Sequence, residues 1–228
     1  MWQLAQHSAG ICVRFVTSAR AISARWRLWN RNLAMVHIPA TGVSGLDLYI
    51  KDPLCPKNKK YHWIGLGQPE KFPENEAELV GGLNGQPHEF ILYLPLYNGV
   101  EKVEIGVNAE SKIEKAPTCT TKPIVMYGTS ILHGGCASRP GMSYPAIIGR
   151  WIDQPIINLG FSGNGQAELE MAELLAELDP AVYLLDYCPN VNANGIRKRT
   201  EPFVQILRNA HLDIPHRSLG EHHLSETS

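Results

Sequence analysis

Cysteine is scarce in this chain and poorly placed for cross-linking. Cys12, Cys55, Cys119, Cys136 and Cys188 are odd in number, widely spaced and without a Cys-x-x-Cys pair. Neither a disulfide framework nor a zinc motif is indicated. Cys12 and Cys188 stand in apolar, strand-like runs and read as core thiols. Charge of one sign is also missing, since 21 Lys and Arg offset 22 Asp and Glu for a formal net charge of −1. With no polybasic run, the sequence offers no footprint for nucleic acid or an anionic membrane surface. No apolar stretch approaches the roughly 18 residues that cross a bilayer. Residues 1–7 have neither a basic n-region nor an apolar h-region, so they are not a signal peptide. The expectation is a cytoplasmic chain or a missing upstream segment. What remains, 228 residues of which 44% are hydrophobic and 19% charged, is an ordinary soluble globular composition. The length suits one large or two small domains.

Two periodicities divide the chain. Ile22, Ala24, Trp26 and Leu28 alternate with Ser23, Arg25 and Arg27, and Val103, Ile105 and Val107 alternate with Lys102 and Glu104, the period of half-buried strands. Phe90, Leu92 and Leu94 alternate with Ile91 and Tyr93, as in a strand covered on both faces. Gly and Pro clusters punctuate these runs, which predicts a β-sandwich or jelly roll over residues 1–115. From about residue 123 strands alternate with helices: strands at 123–127, 155–159 and 181–186, helices at 144–152, 166–178 and 195–210. Met171, Leu174, Leu175 and Leu178 form the expected apolar stripe of the second helix, with Glu168, Glu170, Glu173 and Glu177 as its solvated side. Pro202 predicts a kink or a later start for the third. Such alternation implies parallel βαβ units in a doubly wound sheet over residues 123–228, after a linker at 112–122.

In a parallel sheet all strand-to-helix loops emerge on one edge, where ligands bind. Three such loops can be named: Gly128-Thr129-Ser130, residues 158–165 with Gly160 and Gly163, and Asp186 to Asn190. Ser130 reads either as a nucleophile or as an N-cap, for which Ser and Thr are favoured in any helix. A backbone N–H at Gly163 and the side-chain amide of Asn190 are the donor types of an oxyanion hole. The alternatives are a glycine that only permits positive φ and an asparagine that only caps.

These blocks resemble the SGNH (GDSL-like) hydrolases, whose Ser, Gly, Asn and His blocks follow in that chain order. Gly128-Thr-Ser130 is similar to the first, Phe161-Ser-Gly-Asn164 to the second and Pro189-Asn190 to the third. Gly45-Leu-Asp-Leu-Tyr49 resembles the Gly-x-Asp-Leu-Tyr signature of an N-terminal β domain found in one esterase subfamily. The resemblance implies a flavodoxin-like sheet, a nucleophile at Ser130, and oxyanion donors at Ser130, Gly163 and Asn190. It further implies a small acyl group such as acetyl, a small-molecule or glycan ester as substrate, and no cofactor or metal.

The fourth block, Asp-x-x-His, should supply the base and its orienting carboxylate. Asp213-Ile-Pro-His216 fits the string, yet the preceding helix returns the chain to the sheet edge opposite Ser130. Asp213-Ile-Pro215 therefore reads better as the lead-in to another strand, whose apolar character fades after His216, as in a truncated or altered C-terminus. His133 reads as a pocket-wall residue, and His37 and His88 could serve only if the β domain folds over the site. His222 and His223 are adjacent, unlike helical metal ligands. Two rival functions follow: an inactive fragment lacking its base, or a carbohydrate-binding protein with Trp29, Tyr61 and Trp63 as its aromatic platform.

Overall fold

The computed structural model describes residues 1–56 and 59–218. A short helix α1 (Trp2–Ala5) precedes strands β1 (Cys12–Thr17) and β2 (Ile22–Leu28). After helix α2 (Ala40–Val43) come β3 (Leu46–Lys51), β4 (Tyr61–Gly67), β5 (Glu74–Val80), β6 (His88–Tyr93), β7 (Val100–Val107) and β8 (Ile113–Lys115). They form two antiparallel sheets, ordered β4-β3-β6-β1-β8 and β5-β2-β7. The alternation in β2 places Ile22, Ala24, Trp26 and Leu28 in a core shared by both sheets, against Phe15, Leu46, Leu48, Phe90 and Leu92. Strand β6 is buried on both faces for a visible reason. Phe90 and Leu92 enter that core, while Ile91 and Tyr93 pack with Tyr49 against Ala146 of the following α/β segment.

That segment comprises β9 (Ile124–Gly128), α3 (Ser130–His133), α4 (Tyr144–Ile152), β10 (Ile156–Gly160), α5 (Leu169–Ala176), β11 (Val182–Asp186), α6 (Ala193–Ala210) and β12 (His216–Ser218). Its sheet, β10-β9-β11-β12, is parallel throughout. Among the described residues no helix is long and apolar enough to cross a membrane.

Four local expectations change. Helix α5 starts at Leu169 because Glu168 is its N-cap, and its carboxylate, far from being merely solvated, accepts hydrogen bonds from the Tyr127 hydroxyl and the Gln166 N–H. Its buried face centres on Ala172 and Leu175, while Leu174 is exposed. Helix α6 starts earlier than expected and runs through Pro202. The Asn192 side chain caps it by accepting the Gly195 N–H at 2.9 Å, and burial of Phe203 and Leu207 offsets the roughly 3 kcal/mol a mid-helix proline costs. Cys12 is not a core thiol, and Cys188 packs only at the margin of the second core. Cys12 opens β1 on the face opposite Phe15 and borders a cavity of about 120 Å³ lined also by Arg14, Tyr93, Arg150 and Asp153; Cys188 is half-buried in a turn after β11.

The β sheets are fastened to the α/β segment through the Gly45-Leu-Asp-Leu-Tyr49 run. Leu46 and Leu48 point into the core, so by strand alternation Asp47 and Tyr49 face the other way. Asp47 is fully buried and accepts the Gly141 N–H at 2.9 Å, with Arg139 Nε at 3.2 Å. Arg150 lies 3.9 Å over the Tyr49 ring and donates to the Gly141 carbonyl at 2.7 Å. A Cβ on Gly141 would stand 2.4 Å from the Tyr49 ring, so only glycine admits this approach.

Burial pushes the Asp47 carboxyl up from 3.8 to about 6, against the opposing pull of Arg139 and the Gly141 N–H. The folded chain then holds this proton more tightly than the unfolded chain. Its stabilising contribution is complete below the unfolded value of about 4 and fades as pH rises through about 6. Urea unfolding across pH checks this: relative to Asp47→Asn, the wild type should lose roughly 3 kcal/mol between about pH 3.5 and pH 7. A difference that stays flat with pH contradicts it.

Candidate functional site

Parallel register brings the three loops together. Gly128, the last residue of β9, pairs with Gly160 of β10 on one side and Asp186 of β11 on the other. With neighbouring strands about 4.8 Å apart, the loops leave the sheet level with one another and within about 10 Å. Glycine makes the fit possible. A Cβ on Gly128 would lie 2.2 Å from the Asp186 carbonyl, one on Gly165 2.2 Å from the Gly128 carbonyl, and one on Gly160 2.2 Å from the His133 nitrogen.

Ser130 stands at the first position of α3, and the cap is its neighbour. Thr129 Oγ1 accepts the Ile131 N–H at 3.3 Å. Ser130 is half-buried, and its hydroxyl has no hydrogen-bond partner among the described residues. Its N–H, at the start of a helix, has no intrahelical acceptor. The backbone around it is held firmly. The Ser130 carbonyl accepts the Gly135 N–H at 2.7 Å and the Tyr97 hydroxyl at 3.3 Å, and the Thr129 N–H donates to the Asp186 carbonyl at 3.0 Å.

Gly163 is exposed, adopts φ +70°, and has open space where a side chain would be. Asn190 ends a short 3₁₀ turn (Cys188–Asn190), and its side-chain amide donates to the Asn164 carbonyl, tying the third loop to the second. A carboxamide has two N–H donors, so among the described residues one is left over. Ser130, Gly163 and Asn190 thus sit on loops that leave one edge of the sheet.

The histidines do not join them. His133 faces inward: it is 1% exposed, stacks on Tyr97 at 4.2 Å and places Nε2 2.6 Å from the Leu96 carbonyl. It is an interior residue that lines a cavity with His7 and Asn158, away from the Ser130 hydroxyl. Burial holds it neutral, down to about 4. His211 Nε2 lies 2.9 Å from the Ala176 carbonyl, and His88 is near Asn84. His37 and His62 are exposed. Asp213-Ile-Pro215 leads into β12, where His216 pairs with Tyr183, three residues short of Asp186 at the Ser130 edge. The His216 side chain, His222 and His223 lie outside the described residues. Of the aromatic platform, Trp29 and Trp63 are half-exposed, with Arg139 lying 4.8 Å over Trp63, but Tyr61 is turned inward to donate to Asp153 at 2.7 Å.

Sequence reading missed several supports of the site. Tyr144 donates to the buried Asp186 carboxylate at 2.9 Å, and burial pushes that carboxyl up. Tyr97 comes from the β half, with no local signal linking it to Ser130. Among the described residues, three side chains with ligand atoms close together occur at Asp52 and Cys55 of the β3–β4 turn and His62 of β4.

Comparison with known proteins bears on both halves. Residues 1–113 match the family model for the GxDLY N-terminus of SGNH-hydrolase-type esterases, and residues 121–223 match the GDSL-like lipase/acylhydrolase family. No curated protein matches at a significant level. A crystal structure from Bacteroides ovatus ATCC 8483, named for a GDSL-like lipase, shares 39% identity over 95% of this chain and 62% of its own, with a TM-score of 0.88. Two others share the fold alone. The salicylyl-acyltransferase SsfX3 from a tetracycline biosynthetic pathway is 17% identical over 92% of this chain and 59% of its own, with a TM-score of 0.67. A family two carbohydrate esterase from Clostridium thermocellum, in complex with cellohexaose, is 14% identical over 93% of this chain and 71% of its own, with a TM-score of 0.66. The chain spans about three fifths of the length of the first two. It belongs to the SGNH, or GDSL-like, lipase/acylhydrolase family, with the GxDLY N-terminus of that family's esterases in its first half.

Proposed function

We propose that this chain carries the site of a serine esterase that hydrolyses small acyl esters through an acyl-enzyme on Ser130. The observation that supports it most is the Ser130 hydroxyl, without a hydrogen-bond partner among the described residues, at the level where β9, β10 and β11 end, its capping duty taken by Thr129. Ser130 Oγ attacks the ester carbonyl. The negative charge that develops on the carbonyl oxygen is met by the N–H groups of Ser130 and Gly163 and by the free amide N–H of Asn190. The alcohol departs, and water releases the acid from the serine ester. On analogy with carbohydrate esterases that share the fold, the acyl group is acetyl and the leaving group a sugar hydroxyl. The finer architecture follows the same reading: a jelly-roll sandwich over residues 1–115 and a flavodoxin-like domain from residue 123.

One observation favours a second reading. None of the described histidine rings is hydrogen-bonded to Ser130, so no described group takes the serine proton. A chain that keeps the oxyanion pocket without a base binds acyl esters and turns them over slowly.

Hydrolysis of an aryl acetate separates the readings. The active esterase predicts a rate well above background that Ser130→Ala removes, and Asn190→Ala should lower kcat by roughly 10²–10³ with little change in KM. Under the second reading, added imidazole accelerates the wild type beyond the imidazole-catalysed background, and Ser130→Ala shows that background alone. Equal rates for wild type and Ser130→Ala, with and without imidazole, reject both.

A further inference from the structure

The turn between β3 and β4 gathers side chains that the Ser130 chemistry does not use. Asp52 follows β3 directly, and its Oδ1 accepts the Leu54 N–H at 2.9 Å, an Asx turn that fixes the carboxylate. The other oxygen, Oδ2, lies 3.4 Å from Cys55 Sγ, and Sγ lies 3.8 Å from His62 Nε2. All three donor atoms fall within 4.8 Å of one another. Strand pairing brings this about. Lys51 pairs with Tyr61 and Ile50 with His62, and the Asp52 N–H closes the turn on the Lys60 carbonyl at 2.6 Å. A lone cysteine with Asp three residues before it and His seven residues after it matches no spacing motif, which is why the sequence does not announce the group.

The two separations from sulfur approach those of a tetrahedral centre, while the Asp52 and His62 donor atoms, within 4.8 Å of each other, must close on binding. Metal bonds of about 2.3 Å to sulfur and about 2.0–2.1 Å to nitrogen or oxygen, at tetrahedral angles, place sulfur roughly 3.5–3.6 Å from each of the other donors and those two about 3.4 Å apart. The observed 3.4 and 3.8 Å lie on either side of the value for sulfur. We propose that Asp52, Cys55 and His62 bind a divalent cation of the zinc class, with water in the fourth position. Thiolate and imidazole select a borderline-soft ion over magnesium or calcium. One thiolate and one carboxylate also balance the charge of a divalent ion, the thiol proton leaving to solvent as the metal binds. Exposure of His62 gives the ion a way in, while Asp52 and Cys55 are half-buried. The site is separate from Ser130. Lys60 and Tyr61, which follow the turn, bind Asp153 at the end of α4, next to the sheet edge where β10 begins. Metal there ties the end of β3 to the start of β4 and takes no part in acyl transfer.

The test is titration of the full chain, reduced and metal-free, with Co²⁺ and then Zn²⁺. The proposal expects a thiolate-to-cobalt charge-transfer band with one equivalent of Co²⁺, displaced by Zn²⁺. Cys55→Ser should abolish the band, and His62→Ala should weaken binding by about tenfold or more. Both variants should keep the wild-type circular dichroism spectrum, because the turn lies outside both cores. Cys119→Ser and Cys136→Ser should leave the band unchanged. Absence of the band, its survival in Cys55→Ser, or its loss in Cys119→Ser or Cys136→Ser overturns the proposal.

Discussion

Everything at the candidate site rests on three parallel strands ending level with one another. Gly160, Gly128 and Asp186 lie side by side across β10, β9 and β11. That register carries Gly163, Ser130 and Asn190 out of the sheet together. Any side chain on Gly128, Gly160 or Gly165 would collide with backbone at 2.2 Å, and overpacking of this kind forces the chain apart. Glycine here is a requirement of close approach between main chains. The Phe161 N–H donates to the Gly128 carbonyl at 2.9 Å and the Thr129 N–H to the Asp186 carbonyl at 3.0 Å, so the loops continue the sheet's bonding past its edge.

The β half braces this edge from the side. Tyr97 reaches the Ser130 carbonyl and stacks on His133, whose ring lies against the Leu96 carbonyl. Thr41 Oγ1 donates to the Ser138 carbonyl at 2.6 Å, and Asp47 holds Gly141. The segment from Ser130 to Ser143 is thus fixed at both ends by residues from the first half of the chain. This gives the Gly45-Leu-Asp-Leu-Tyr49 run a physical meaning. Gly45 packs against the Thr41 backbone, two leucines fill the core, and Asp47 and Tyr49 seat the α/β segment.

Much of this was legible in the residues. The period of β2 and the double burial of β6 could be read directly, because each depends on alternation alone. The three strand–loop units were legible because parallel topology dictates where their loops emerge. Less visible were contacts set by tertiary packing. Nothing near Tyr97 or Tyr144 points to Ser130 or Asp186, which lie 33 and 42 residues away. The α5 stripe shifted because Glu168 was drawn to Tyr127, and α6 kept Pro202 because its cap and buried aromatic outweigh one lost hydrogen bond. Cys12 looked like core only until the sheet showed that its face borders a cavity between the halves.

The central claim is that Ser130 occupies a nucleophile's place at this edge. Trapping the acyl-enzyme tests it most directly. The chain is mixed with an aryl acetate, quenched in acid, digested and analysed by mass spectrometry. The account predicts one acetyl group on the peptide containing Ser130, absent from Ser130→Ala. No adduct on that peptide, or acetylation confined to lysines and cysteines elsewhere, would contradict it.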